Sequence, residues 1–129
     1  LLMADIEREF RQVAILGFNG KKAVFTGTEA PEWCGEFIGE DYVVIGNLLA
    51  GKEVLDHMAM EFECSNGDLA WRMARALKAG SQSGGDKRGD KSAALIIANT
   101  EKVKIKLKVN MHGNPVEELC RQLKTLNAK

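Results

Sequence analysis

The spacing of apolar and polar positions changes period several times along the chain, and each change predicts an element. In residues 11–16 the β-favouring Val13 and Ile15 alternate with smaller or polar neighbours. Asn19-Gly20 is a two-residue hairpin signal, and residues 22–26, with Val24 and Phe25, return as the second strand. Residues 27–40 contain Pro31, Gly35 and Gly39 and read as a long surface loop. Tyr42-Val43-Val44-Ile45 is almost continuously apolar, which predicts a strand covered on both faces. Residues 92–98, ending Ala-Ala-Leu-Ile-Ile-Ala, predict a second strand of the same kind.

Between these strands the period is helical. Val54, Leu55, Met58 and Phe62 fall on one face of a helix over residues 52–63. Ser65 or Asn66 is placed to cap a second helix, with Leu69, Ala70, Met73 and Leu77 as its stripe and Gly80 as its end. Val103, Ile105, Leu107 and Val109 then alternate strictly with Lys102, Lys104, Lys106 and Lys108, a strand pattern. Asn114 reads as the cap of a last helix with Pro115 at its first position, and Val116, Leu119, Cys120, Leu123 and Leu126 make one stripe. At the other end Leu1, Leu2 and Ile6 share a helical face with no capping residue ahead of them. Residues 1–9 are therefore expected to be the last turns of a helix whose start lies outside the sequence. Strand runs and helix runs are segregated, so the fold class is α+β, in one domain over residues 1–129.

Charge and size narrow the functional classes. A chain of 129 residues suits a single domain with its own core. Eighteen basic and eighteen acidic residues cancel, which argues against a nucleic-acid partner, because such binding needs cationic excess to displace counterions. No apolar run approaches the ~20 residues that span a bilayer, so no membrane partner is expected. Asp5, Glu7, Arg8 and Glu9 do not fit a signal peptide. Cys34, Cys64 and Cys120 are widely spaced and odd in number, as expected of reduced thiols in the cytoplasm. Cys120 lies on the last helix's stripe, and Cys34, with no His nearby in sequence, reads as an inert thiol.

Few segments carry candidate chemistry. Gly84-Gly85-Asp86-Lys87-Arg88-Gly89-Asp90-Lys91-Ser92 approximates a phosphate loop but fails as one. Lys does not directly follow the second glycine of such a motif, and the order is helix, loop, strand rather than strand, loop, helix. No G-x-G-x-x-G occurs, so no dinucleotide is expected, and no other cofactor is indicated. The loop's glycines permit close backbone approach, and Asp86 and Arg88 could hold a small polar ligand. Its residues alone fit a solvated connection better. Gly46-Asn47 ends a buried strand; Asn47 there is either part of a turn or a hydrogen-bonding group beside a carbonyl substrate. The lysine row reads as protection of an exposed sheet, since no aromatic residues interleave to stack bases. His57 and His112 have no Asp, Glu or Cys at ligand spacing, so no metal is expected.

Several stretches taken in order resemble one family. They are Phe10-Arg11-Gln12-Val13-Ala14-Ile15, Phe25-Thr26-Gly27-Thr28-Glu29, Trp33-Cys34-Gly35, the run from Tyr42 through Asn47 to Gly51, Gly84-Gly85-Asp86-Lys87-Arg88-Gly89, Ser92-Ala93-Ala94-Leu95 and Pro115-Val116-Glu117-Glu118-Leu119. The family is domain-of-unknown-function 1028, placed in the N-terminal-nucleophile (Ntn) hydrolase superfamily. Departures include Lys87 where Arg is common, Lys91 where Gln is common, and Met111-His112-Gly113-Asn114-Pro115 in place of Asp-His-Pro-Asp-Pro. The resemblance implies a four-layer αββα sandwich, incomplete at the N-terminus, of which this chain is the larger C-terminal part. It implies an amide hydrolase whose N-terminal Thr or Ser is the nucleophile, with its own α-amino group (pKa ~7.7–8.0) as base. Leu1 has no such oxygen, so the chain alone is expected to be inactive. The implied binding positions are Gly46, Asn47, Gly85, Asp86, Arg88 and Ser92, taking a small-molecule amide. Sheet edges left exposed would favour a homo-oligomer. The alternative is a non-catalytic binding or assembly domain that keeps the sandwich.

Overall fold

The computed structural model describes residues 1–128. Six strands and three helices follow one another as β1 (Gln12–Leu16), β2 (Lys22–Thr26), β3 (Gly35–Ile38), β4 (Val43–Gly46), α1 (Glu53–Cys64), α2 (Leu69–Gln82), β5 (Ala93–Ala98), β6 (Val103–Val109) and α3 (Pro115–Asn127). The strands form three antiparallel pairs, β1–β2, β3–β4 and β5–β6. The first hairpin pairs Gln12 with Thr26 and Leu16 with Lys22, and Gly20 adopts φ 82°, the left-handed conformation that its turn requires. This is an α+β fold of small antiparallel sheets, and no helix among the described residues is long and apolar enough to cross a membrane.

Apolar side chains gather in two clusters. Tyr42, just before β4, and Val44 within it meet Leu55, Ala59 and Phe62 of α1 and Ala76 of α2. Leu95 and Val109 of the β5–β6 pair meet Ala70 and Ala74 of α2 and Leu119 and Leu123 of α3. Helix α2 therefore serves both. Its Gly80 does not end the helix as expected, but lies inside it and is buried. A Cβ there would stand 2.7 Å from Met58 Cγ and Sδ, so this glycine allows α1 and α2 to approach.

Other expectations need correction. Residues 1–9 form no α-helix; turns lead into a 3₁₀ turn at Arg8–Phe10, and Leu1 and Ile6 are exposed. There the Arg11 guanidinium reaches Asp5 and Glu7, both at 3.1 Å, so local ion pairs shape the segment instead of an apolar face. The expected 27–40 loop contains β3, whose Glu36, Phe37 and Ile38 are all exposed and so leave no burial period to read. Asp68, not Ser65 or Asn66, caps α2 by accepting the Trp71 N–H at 3.0 Å. In α2, Leu69 and Met73 are exposed and the alanines form the buried stripe, because a helix between two cores needs small residues. Asn114 makes no side-chain cap; its own N–H donates to His112 Nδ1 at 2.9 Å.

The largest correction concerns β5. It is covered on one face only: Leu95 is buried, while Ala94 and Ala98 are exposed and Ile96 is 55% exposed. Ala94 and Ile96 pair with Lys108 and Lys106, so the open face carries these lysines beside apolar side chains. Continuous apolarity marks a strand but does not report which faces are covered within a given chain. The Tyr42–Ile45 run is closer to the expectation: Tyr42, just before β4, and Val44 are buried, and Val43 and Ile45 are half-buried.

Leu119 and Leu123 are wholly inaccessible, whereas Leu126, on the same expected stripe, is 44% exposed. Leu119→Ala should therefore lower stability by about 2–5 kcal/mol. Leu126→Ala should stay within about 0.5 kcal/mol of the parent. Urea midpoints of the two variants test the difference.

Candidate functional site

The glycine-rich loop is fixed by backbone bonds before any side chain is considered. Gly85 N–H donates to Gly80 O at 3.0 Å, Ala50 N–H to Gly85 O at 2.9 Å and Lys87 N–H to Leu48 O at 2.8 Å. Leu49 and Asp86 thus form an isolated antiparallel bridge between the loop and the turn after β4. Gly85 has φ 51°, and a Cβ there would lie 2.5 Å from Asp90 Oδ1, so the position needs glycine on both counts.

Asp90 is what the loop closes around. Its Oδ1 accepts the Asp86 N–H at 3.0 Å and its Oδ2 accepts the Ser81 hydroxyl at 2.5 Å. Asp86 in turn grips Arg88: Oδ1 accepts the Arg88 backbone N–H at 2.8 Å and Nε–H at 2.9 Å, and Oδ2 accepts Nη2–H at 2.7 Å. These bonds, the side-chain ones first, hold the Asp86 carboxyl down at about 2.

The bridge borders a cleft of about 340 Å³. Its floor is apolar, from Ile45, Leu49, Val54, Leu55, Met58 and Leu77, and its polar lining includes Asn47, Ser81, Asp86, Asp90 and Ser92. Of the expected positions, Asn47, Gly85, Asp86 and Ser92 line this one cleft. Arg88 does not; with Asp86 and Ser92 it borders an adjacent recess. Gly46 contributes its backbone: it pairs with Gly35, and its carbonyl accepts a hydrogen bond from Gln12. The Ser92 hydroxyl accepts the Met111 N–H at 3.2 Å.

Three residues of this arrangement were given no site role by the sequence reading: Gln12 and Asp90, quoted only within longer stretches, and Ser81. Gln12 stands 35 positions before Asn47, yet its Oε1 accepts the Asn47 Nδ2–H at 3.1 Å. Its Nε2 lies within reach of Gly46 O at 3.0 Å, Gly35 O at 2.9 Å and Thr26 Oγ1 at 3.1 Å. No local pattern signals such a contact, because it joins separate strand pairs.

The cysteines and histidines lie outside the cleft lining. The Cys34 thiol points at Ala30 O, 3.5 Å away, and burial raises the Cys120 thiol, with Glu117 adding to the effect. His57 Nδ1 is 2.5 Å from the Ser83 hydroxyl. Among the described residues no group of three or more His, Cys, Asp or Glu could hold a metal ion.

Comparison with known proteins gives a family. Residues 1–119 match the model of the family of unknown function DUF1028. The chain belongs to DUF1028. It is also similar to protein SPO2555 from Silicibacter pomeroyi, a DUF1028 crystal structure, with 28% identity and a TM-score of 0.84 over 94% of this chain. The match covers 52% of that protein, so the present chain spans about half the length of this DUF1028 relative. No curated protein matches the chain.

The Asp86–Arg88 contact makes a pH prediction. A carboxyl held below its usual 3.8 in the folded state contributes stability above that value and loses the contribution as pH falls toward about 2. Arg88→Met should move the Asp86 midpoint back toward 3.8, followed by its side-chain carboxyl ¹³C shift across an acid titration. An unchanged midpoint would show that Arg88 is not the cause.

Proposed function

We propose that the cleft beneath the 84–92 loop is part of the substrate site of an Ntn-type amide hydrolase, formed together with chain beyond these 129 residues. The observation that carries this reading is Asn47. It stands at the end of a strand, beside an apolar floor, with its carboxamide tethered by Gln12. A preorganised N–H donor beside apolar side chains is suited to polarise an amide carbonyl. The docked loop brings Asp86 and Asp90 to the cleft lining, with the Asp86 carboxyl held down by Arg88, and Gly85 gives it the close fit.

On this reading the nucleophile is an N-terminal Thr or Ser of the longer protein, with its α-amino group as base. The length of the DUF1028 relative leaves room for such a segment. The open face of β5 would then be covered by further sheet, completing the αββα layers. Hydrogen–deuterium exchange and side-chain labelling of the full-length protein would find Ile96 protected there; a solvent-exposed Ile96 would remove the sandwich.

A non-catalytic binding domain is the second reading, and one observation favours it. The Ser92 hydroxyl accepts from a backbone N–H, with no His or carboxylate bonded to it among the described residues. The same cleft would then hold a small ligand without chemistry.

A panel of small amides and dipeptides assayed with the full-length protein separates the two. Hydrolysis is expected, with Asn47→Ala lowering kcat by about 10²–10³, the effect of losing one oxyanion donor. The 129-residue chain alone should not turn over. Hydrolysis untouched by Asn47→Ala, ordinary turnover by the 129-residue chain, or a first residue after Met other than Thr, Ser or Cys would overturn the hydrolase reading.

A further inference from the structure

Gln12 belongs to β1, outside the elements that line the cleft, yet its side chain is the only one bonded to Asn47 among the described residues. The direction of that bond follows from the carbonyls around Gln12. A side-chain amide can be turned end for end without changing its shape, so its neighbours decide which end is nitrogen. Gly35 O and Gly46 O, at 2.9 and 3.0 Å, are backbone carbonyls and can only accept. The end facing them must be Nε2. Thr26 Oγ1, also near that nitrogen, donates its own proton to Glu36 Oε2 at 2.6 Å and so presents a lone pair to Gln12. Reversing the amide would set Oε1 against two carbonyl oxygens that can only accept.

With Nε2 fixed, Oε1 is the only polar atom Gln12 can offer to Asn47, and it can only accept. Asn47 must therefore turn Nδ2 toward Gln12. That orientation leaves Asn47 Oδ1 and the second Nδ2–H without partners among the described residues. Gly35 and Gly46 are a cross-strand pair, so the anchor is the backbone of the β3–β4 pair itself, and the hairpin carries the amide to it. Gln12 is half-buried, whereas Asn47 is exposed and would otherwise rotate freely.

We propose that Gln12 is a positioning residue: held by the Gly35 and Gly46 carbonyls, it sets the orientation of the Asn47 carboxamide. Its consequence for turnover rests on the hydrolase reading above; the orientation itself does not. Gln12 acts through Asn47 and is not assigned contact with the substrate.

The test uses side-chain amide NMR of the ¹⁵N-labelled full-length protein. In the parent, one Asn47 Nδ2 proton should be protected from solvent exchange and show a cross-peak to Gln12. Gln12→Met keeps length and removes the polar groups; Gln12→Glu keeps shape but brings two acceptors against the carbonyls. Both should abolish the protection, while backbone amide shifts in α3 and β6 stay in place. Should Gln12→Met fail to fold, Gln12→Glu carries the test, and an absent Asn47–Gln12 cross-peak in the parent overturns the proposal without any variant. Asn47 signals unchanged in a folded variant also overturn it. If an amide is hydrolysed, Gln12→Glu should lower kcat more than it alters KM, and Asn47→Ala added to it should cause no further loss. Additive losses would refute the positioning role. Absence of any amide turnover would defeat only the hydrolase reading, since the NMR result stands apart from it.

Discussion

The bridge between Leu49 and Asp86 is the contact on which the rest of the cleft depends. It joins the turn that leaves β4 to the loop that leaves α2, and so ties the end of one apolar cluster to the start of the other. Backbone bonds do the tying, which is why the loop can be rich in glycine and charge and still be ordered. Bonds of this kind contribute only about 0.5–1.5 kcal/mol each in net terms. Their effect here is geometric: they set where Asp86, Asp90 and Asn47 stand relative to the apolar floor.

Two small cores sharing one helix make an economical but open architecture. Alanines and Gly80 on α2 let sheet and helix layers approach from both sides. The outer surfaces are less finished. Phe18 at the first hairpin is 87% exposed, and the outer face of β5 lies open beside its lysines. The DUF1028 relative is about twice as long as the present chain, and its similarity extends over nearly all of what is described here. The described residues carry their own cores and their own cleft.

The loop's two carboxylates find their partners close by. Arg88 satisfies Asp86, and Ser81 with the Asp86 backbone satisfies Asp90. Asp86 and Arg88, which drew attention in the sequence, thus hold the loop's shape, while Asn47 keeps its Oδ1 and one Nδ2–H without partners among the described residues. Lys87 follows the same pattern: its Nζ donates to Glu32 O at 2.6 Å, pinning the loop to the segment before β3.

The amino-acid order by itself determined what depends on near neighbours. The hairpin with its Asn19-Gly20 turn, the helical stripe containing Leu119 and Leu123, the alternation of β6 and the family membership were all legible, because turn chemistry and periodicity are written locally. It also picked out Asn47, Gly85, Asp86 and Ser92, which share one cleft. The tertiary structure alone decided the rest. The end of α2 was misread because Gly80 answers to Met58 on another helix. The exposure of Ile96 was misread because apolarity does not say which layer is present to cover it. Gln12 and Asp90 stood in quoted stretches but were given no role, because their partners are strand carbonyls, a loop amide and a helix hydroxyl that only folding brings into bonding geometry.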